Sequence, residues 1–389
     1  MKVNSQVFRA YDIRGIVNEE LSDELVKKLG KAIGTLLRRN NSDALNVCRD
    51  GRLSGPHISE LFIEGVLSTG CNVCNLDLGP TPLLYFSTFK TSIRNGVMIT
   101  GSHNPKNYNG FKIVVNQKPL SGESITEIKN LIESEDFISG EGKEQKTPLL
   151  EDYQTEVKSK INLKRSLKIV LDCGNGVGGS VAPKLFKDLG IELIELYSEV
   201  DGDFPNHHPD PGNPENLKDL IVKVRENKAH LGIALDGDAD RLGVVDNKGN
   251  IIFPDQYMSL IADQILKNNS GRKIVFDVKC SSKLKESISK SKGVPIMTRT
   301  GHSFIKEEIL KQNAILGGEM SGHIFFNDDW YGFDDGIYSA LRLIEIIAQS
   351  EDSSAEMFNK FPQLFNTPEI NVPVSYTHLR AHETLRYLV

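Results

Sequence analysis

One pattern recurs along this chain. LKIVLDCGNG (167–176) and RKIVFDVKCS (272–281) each run from a basic residue through apolar, β-branched residues to an aspartate and a polar turn. LNVCRDGR (45–52) follows the pattern loosely, and a helical stretch comes after each. Repeated strand, turn and helix predict consecutive similar α/β units. At 389 residues the chain is too long for one core and suits two to four domains. Polar breaks at GEGKEQKTP, DNKGN and FNTPE put boundaries near 147, 250 and 367. The expected units are 1–147, 148–250 and 251–367, with 368–389 left over. Ligands of open α/β sheets bind at the carboxyl ends of strands, so chemistry is sought in loops after apolar runs.

Composition removes several function classes. Hydrophobic residues make up 39% and charged residues 25%, as in soluble globular proteins. A net charge of -6 argues against nucleic acid as a partner. No run approaches the roughly 18 apolar residues of a membrane span, so no membrane partner is expected. The amino terminus, MKVNSQVFRAYDIRG, has no apolar leader segment. Five cysteines argue against a disulfide framework, and Cys71-x-x-Cys74 reads as part of a strand. The cytoplasm is the expected location. Gly174, Gly176 and Gly179 satisfy the dinucleotide pattern, with Glu195 near the ribose offset. Asp172 and Asn175 crowd that loop, so a tight strand-to-helix turn is the better reading.

Three loops carry chemistry. In GVMITGSHNPKNYNGFK (96–112), Ser102 stands between Gly101 and His103 after an apolar strand, where its hydroxyl and nearby backbone N–H groups meet an oxyanion or phosphate. An ordinary Ser/Asn/Pro turn is the alternative. In LGIALDGDADRLGVV (231–245), Asp236, Asp238 and Asp240 lie between two apolar strands. Like charges this close are costly, and a divalent cation removes the cost; oxygen ligands suit Mg²⁺. An EF-hand is excluded because its sixth position is Arg241 and its twelfth Asn247. Arg241 suits a phosphate contact. In ILGGEMSGHIFF (315–326), Glu319, Ser321 and His323 offer the donors and acceptors that sugar hydroxyls need. A glycine-rich connection is the alternative there. Arg14, Lys112, Lys279, His302 and Lys306 add basic groups that mean little one by one.

Taken together, FRAYDIRG, TGSHNP, DGDADR and GGEMSGH in this order resemble the α-D-phosphohexomutase family. HHPDPGNPENL and WYGFDDGIYSALRL resemble its phosphomannomutase/phosphoglucomutase branch, and the resemblance runs from about residue 7 to about 374. It implies four α/β mixed-sheet domains around a cleft and a mutase moving a phosphoryl group between C1 and C6 of a hexose. By motif, it makes Ser102 the phosphoserine and a metal ligand, with Asp236, Asp238 and Asp240 holding one Mg²⁺. It assigns Arg241, Tyr11, Lys279, Glu319 and Ser321 to substrate. It gives Arg14, Lys112, His302 and His323 proton transfer and charge neutralisation. A hexose 1,6-bisphosphate is the implied intermediate and activator, a small sugar phosphate the partner. A monomer is expected, with a dimer as the alternative. Met320 points to the mannose/glucose branch.

The sequence departs from the family after NTPEINVPV, which resembles the opening strand of the fourth domain. SYTHLRAHETLRYLV does not resemble the family. The expectation is therefore three consecutive similar domains with the fourth essentially missing, and activity weaker than that of a full-length homologue. Two other readings are carried with the mutase: a metal-dependent sugar-phosphate phosphatase using the same serine, and an inactive fragment that binds sugar phosphate.

Overall fold

The repeated strand pattern produces the same sheet three times. The computed structural model describes residues 3–9 and 12–361. In each unit, two crossovers lay three parallel strands in the order second–first–third. A fourth strand then folds back antiparallel on the third. In the first unit the strands are Ala44–Arg49, Asn72–Leu78, Gly96–Ile99 and Tyr108–Val115. In the second they are Lys168–Asp172, Glu192–Leu196, Leu231–Leu235 and Leu242–Asp246. In the third they are Lys273–Asp277, Val294–Thr298, Leu316–Gly318 and Ile324–Phe326. The expected mixed sheets are present, and the three motif loops are one topological element: the hairpin between the last parallel strand and its antiparallel partner.

Additional strands extend the first two sheets. Ile13–Ile16 lies on the far side of Tyr108–Val115, and Glu144–Lys146 pairs with Asn72–Leu78. Ile251–Ile252, two residues past the expected break at 250, still pairs in the second sheet. Helices form where the pattern placed them. Asp23–Arg39 starts on Ser22, whose side chain accepts from the Leu25 N–H, with Asp23 and Glu24 in its first turn and Arg38 and Arg39 in its last. It packs on Gly55–Leu67 so closely that a Cβ on Gly65 would lie 2.2 Å from the Lys27 carbonyl oxygen.

Packing ties the units together. One apolar cluster runs from Leu83 and Met98 through Leu171 and Leu235 to Phe276, Leu316 and the helix Gly336–Ala348. The first unit keeps a second cluster of its own around Ile33, Phe62 and Ile128. Aromatic rings seal the first unit to the third: Phe86 stacks on Trp330 and Phe89 leans on Tyr331. All five cysteines are buried thiols, and Cys71 and Cys74 belong to the strand Asn72–Leu78 and its entry, as read from sequence. Among the described residues no helix is long and apolar enough to cross a membrane. Residues 362–389, with the expected boundary at 367 and the proposed remnant at 368–389, lie outside the described residues.

Candidate active site

The strand Gly96–Ile99 delivers Ser102 in a left-handed conformation, φ 48°. That backbone is costly for serine and must be held by its surroundings. Asp50 accepts from the Thr100 hydroxyl (2.6 Å) and the N–H groups of Gly101 and Arg52. The fully buried Arg52 guanidinium donates to four carbonyls of the same loop, those of Ser102, Asn104, Pro105 and Tyr108, at 2.6–2.9 Å. Gly101 must be glycine, since a Cβ there would lie 2.3 Å from the Arg52 Cζ. The Ser102 hydroxyl donates to Asp236 Oδ2 at 3.0 Å.

Asp236, Asp238 and Asp240 are wholly buried on the second hairpin. Asp236 Oδ1 accepts from the N–H groups of Asp240 and Arg241. Lys112, reaching from the strand Tyr108–Val115, donates to Asp238 Oδ2 at 2.6 Å and also contacts Asp240. Thr81 donates to Asp238 Oδ2 as well. Burial, then the charges of Asp238 and Asp240, push the Asp236 carboxyl well above the usual range. At Asp238 burial acts the same way, but Lys112 outweighs it and holds the group down. Lys112 is in turn raised, the carboxylates overcoming its desolvation. Lys112, with Arg241 Nε 3.9 Å from Asp236, stands against three carboxyl groups, and their mutual repulsion falls on Asp236. Asp238 Oδ1 and Asp240 Oδ1 are buried without a hydrogen-bond partner, and one oxygen from each of the three aspartates lies within 4.8 Å of the others. This donor set fits a small divalent cation.

The third hairpin docks on the second. The Leu242 N–H donates to the Gly322 carbonyl at 3.0 Å, and Arg241 and His323 form a backbone bridge. Arg241 Nε donates to His323 Nε2 at 3.0 Å. Glu319 is buried, accepts from the Gly301 N–H, and has its pKa raised by that burial. His302 opens the helix His302–Gln312, where burial lowers its pKa well below the usual imidazole range. Ser102, the three aspartates, Lys112, Arg241 and His323 thus form one bonded network. Arg14 is buried and pairs with Asp12 at 2.8 Å, on a strand beside the serine loop. Ser321 is half-buried in the third hairpin, and Lys279 is exposed on the turn after Lys273–Asp277. Tyr11 lies outside the described residues.

Sequence reasoning missed Asp50, Arg52, Thr81, Tyr85 and Asp334. For Asp50 the signal was present: it is the recurrent aspartate, and Asp172 and Asp277 stand at the same point of their units. Asp172 holds the Gly174 N–H and His207; Asp277 holds the Thr300 hydroxyl and the Met320 N–H. The glycines of the dinucleotide-like pattern pack on neighbouring backbone: a Cβ on Gly176 would lie 2.9 Å from Gly237, and one on Gly179 2.0 Å from the Ser198 oxygen. The aspartate hairpin, through Asp236 and Gly237, packs against Gly176 and leaves its Cβ position occupied.

Residues 5–139, 150–249 and 253–365 match domains I, II and III of the phosphoglucomutase/phosphomannomutase alpha/beta/alpha series. A phosphomannomutase/phosphoglucomutase from Pseudomonas syringae pv. tomato is 49% identical over 369 residues, covering 95% of this chain and 79% of that protein. The chain belongs to the phosphoglucomutase/phosphomannomutase family. A phosphoglucomutase from Neisseria meningitidis is 46% identical, over 94% of this chain and 80% of its own length. The crystal structure of a family protein from Burkholderia thailandensis superposes with a TM-score of 0.91 at 42% identity, covering 94% of this chain and 81% of that one.

Proposed function

We propose that this family member interconverts hexose 1-phosphate and hexose 6-phosphate, of mannose, glucose or both, through a phosphoserine at Ser102. The observation that carries the reading is the 3.0 Å hydrogen bond from the Ser102 hydroxyl to Asp236, which puts a strained serine at the edge of a buried three-carboxylate cluster. The units meeting there are read as 1–147, 148–250 and 251–367.

Asp236, Asp238 and Asp240, with Ser102, would hold the ion, read as one Mg²⁺. When bound, that ion neutralises charge on the transferring phosphoryl group. The chain's residues supply the rest. The Ser102–phosphate bond breaks as phosphorus bonds the free sugar hydroxyl, giving a hexose 1,6-bisphosphate. The sugar turns, and its other phosphoryl group returns to Ser102. The accepting hydroxyl must lose a proton, and the imidazoles of His302 and His323 are the candidates to take it. Lys112, kept charged by its carboxylates, and Arg14 balance the phosphoryl charge, while Arg241 grips its oxygens. Glu319 and Ser321 hold sugar hydroxyls, Lys279 and Tyr11 the rest of the substrate, and added bisphosphate restores a lost phosphoserine. The same chemistry suits a monomer in the cytoplasm.

A coupled assay tests this. The chain receives mannose 1-phosphate or glucose 1-phosphate, Mg²⁺ and a trace of hexose 1,6-bisphosphate, and both hexose 6-phosphate and free phosphate are followed. Hexose 6-phosphate that vanishes in Ser102→Ala is the expected result. Free phosphate alone overturns the reading.

A further inference from the structure

The roles above leave unused the loop of residues 198–211, which runs from the strand Glu192–Leu196 toward the helix Lys218–Glu226 and contains the HHPDP of the sequence motif. It is tied to its own unit at two points. The Asn175 side chain donates to the Glu199 carbonyl at 2.9 Å and accepts from the Asn206 amide at 2.8 Å, while the Asn175 carbonyl accepts from the Asp201 N–H at 3.0 Å. His207 Nε2 faces both oxygens of Asp172, at 3.0 and 3.1 Å.

Between those ties the loop crosses to the first unit. Backbone meets backbone there, and a Cβ on Gly202 would lie 2.5 Å from the Leu53 nitrogen. Asp203 pairs with Lys106 at 2.9 Å, but both are exposed and such a pair contributes little. Phe204 makes the inner contact. The Arg52 Cζ stands over its ring, 5.3 Å from the centroid, with the cation toward the aromatic face. Phe204 holds a φ of 50°, a left-handed conformation that is costly for an aromatic residue and persists only where the surroundings impose it. Its partner Arg52 is the group that donates to the carbonyls of Ser102, Asn104, Pro105 and Tyr108. Five residues on, the same loop touches the other half of the site. A Cβ on Gly237, between Asp236 and Asp238, would meet Pro209 at 3.4 Å and the Ser102 carbonyl oxygen at 2.5 Å.

We propose that Phe204 is a positioning residue: carried by a loop that Asn175 and His207 pin to the second unit, its ring fixes the Arg52 guanidinium and thereby the serine loop relative to the aspartate hairpin. The inference rests on the reading of Ser102 as the phosphoryl carrier.

Two measurements test it. Hydrogen exchange followed by mass spectrometry needs no activity. In Phe204→Ala, the amides of residues 101–108 are expected to exchange on the order of 10-fold faster, with the strands Ala44–Arg49 and Lys168–Asp172 unchanged. Unchanged exchange in the serine loop overturns the proposal whether or not the protein is a mutase. Equal acceleration in the strands also overturns it, because that marks a general loss of packing. In the mutase assay, Phe204→Tyr should keep kcat within about twofold of the parent and Phe204→Leu should lose about 10-fold, with KM little changed. Leucine as active as tyrosine overturns the proposal, since apolar bulk without the ring face would then suffice. If the parent turns nothing over, exchange decides: the tyrosine variant is expected to match the parent and the leucine variant to match alanine, and the reverse overturns it.

Discussion

At Ser102 a costly backbone conformation is kept in place by a buried cation. Four carbonyls and Asp50 absorb the donors of Arg52, so its planar fork cannot be replaced by a lysine point charge. Arg52→Lys is expected to lower stability by about 3 kcal/mol, since several buried carbonyls lose their donor; urea unfolding monitored by circular dichroism checks it. Asp335 gives a pH signature. Its carboxylate accepts from the Tyr338 N–H and the Tyr153 hydroxyl, and burial pushes its pKa up to about 7. The folded protein therefore holds a proton there that the unfolded chain releases above about pH 4. This contribution to stability is complete below that value and is lost as pH rises through 7. Asp335→Asn keeps the cap without the charge. Its stability relative to the parent should rise between pH 5 and pH 8 by on the order of 2 kcal/mol, measured by urea unfolding at the two values.

Among the elements, the hairpin after the last parallel strand of each unit carries the motif residues, and its position was legible. Apolar runs ending in TGSHNP, DGDADR and GGEMSGH placed the three loops, because a parallel strand is apolar throughout and polarity begins where it ends. The partners of those loops were not legible. Arg52 lies 50 residues from Ser102, and Thr81 lies 157 from Asp238. Nothing local marks such pairs, since only the crossovers bring them together. Fused glycine contacts were equally silent. Gly65→Ala should force the helices Asp23–Arg39 and Gly55–Leu67 apart and cost about 1–3 kcal/mol, read as a lowered melting temperature without a change in helix content.

Across the whole molecule, the sequence suggests three similar consecutive domains, and the packing joins them closely. A single apolar cluster crosses all three sheets, and Lys306 reaches the first unit through Tyr85. Periodicity reports that a face is apolar but not which unit it meets, so this continuity could not be read beforehand. Trp330, the chain's sole tryptophan, sits where the first and third units touch. Its fluorescence and the far-ultraviolet circular dichroism should therefore lose structure at the same urea concentration. Fluorescence changing well before ellipticity would mean that the junction opens while the sheets survive.

Lys112 has a consequence of its own. By bridging Asp238 and Asp240 it serves as a resident counter-ion in the place where a dication would act. An arriving ion competes with a cation the protein already carries, so its affinity is a difference between two attractions. Lys112→Met should bind Mg²⁺ more tightly in calorimetric titration and be less stable in chelator than the parent. On the proposed reading, the lysine balances the aspartate hairpin when no ion is bound and weakens the ion's hold when one is.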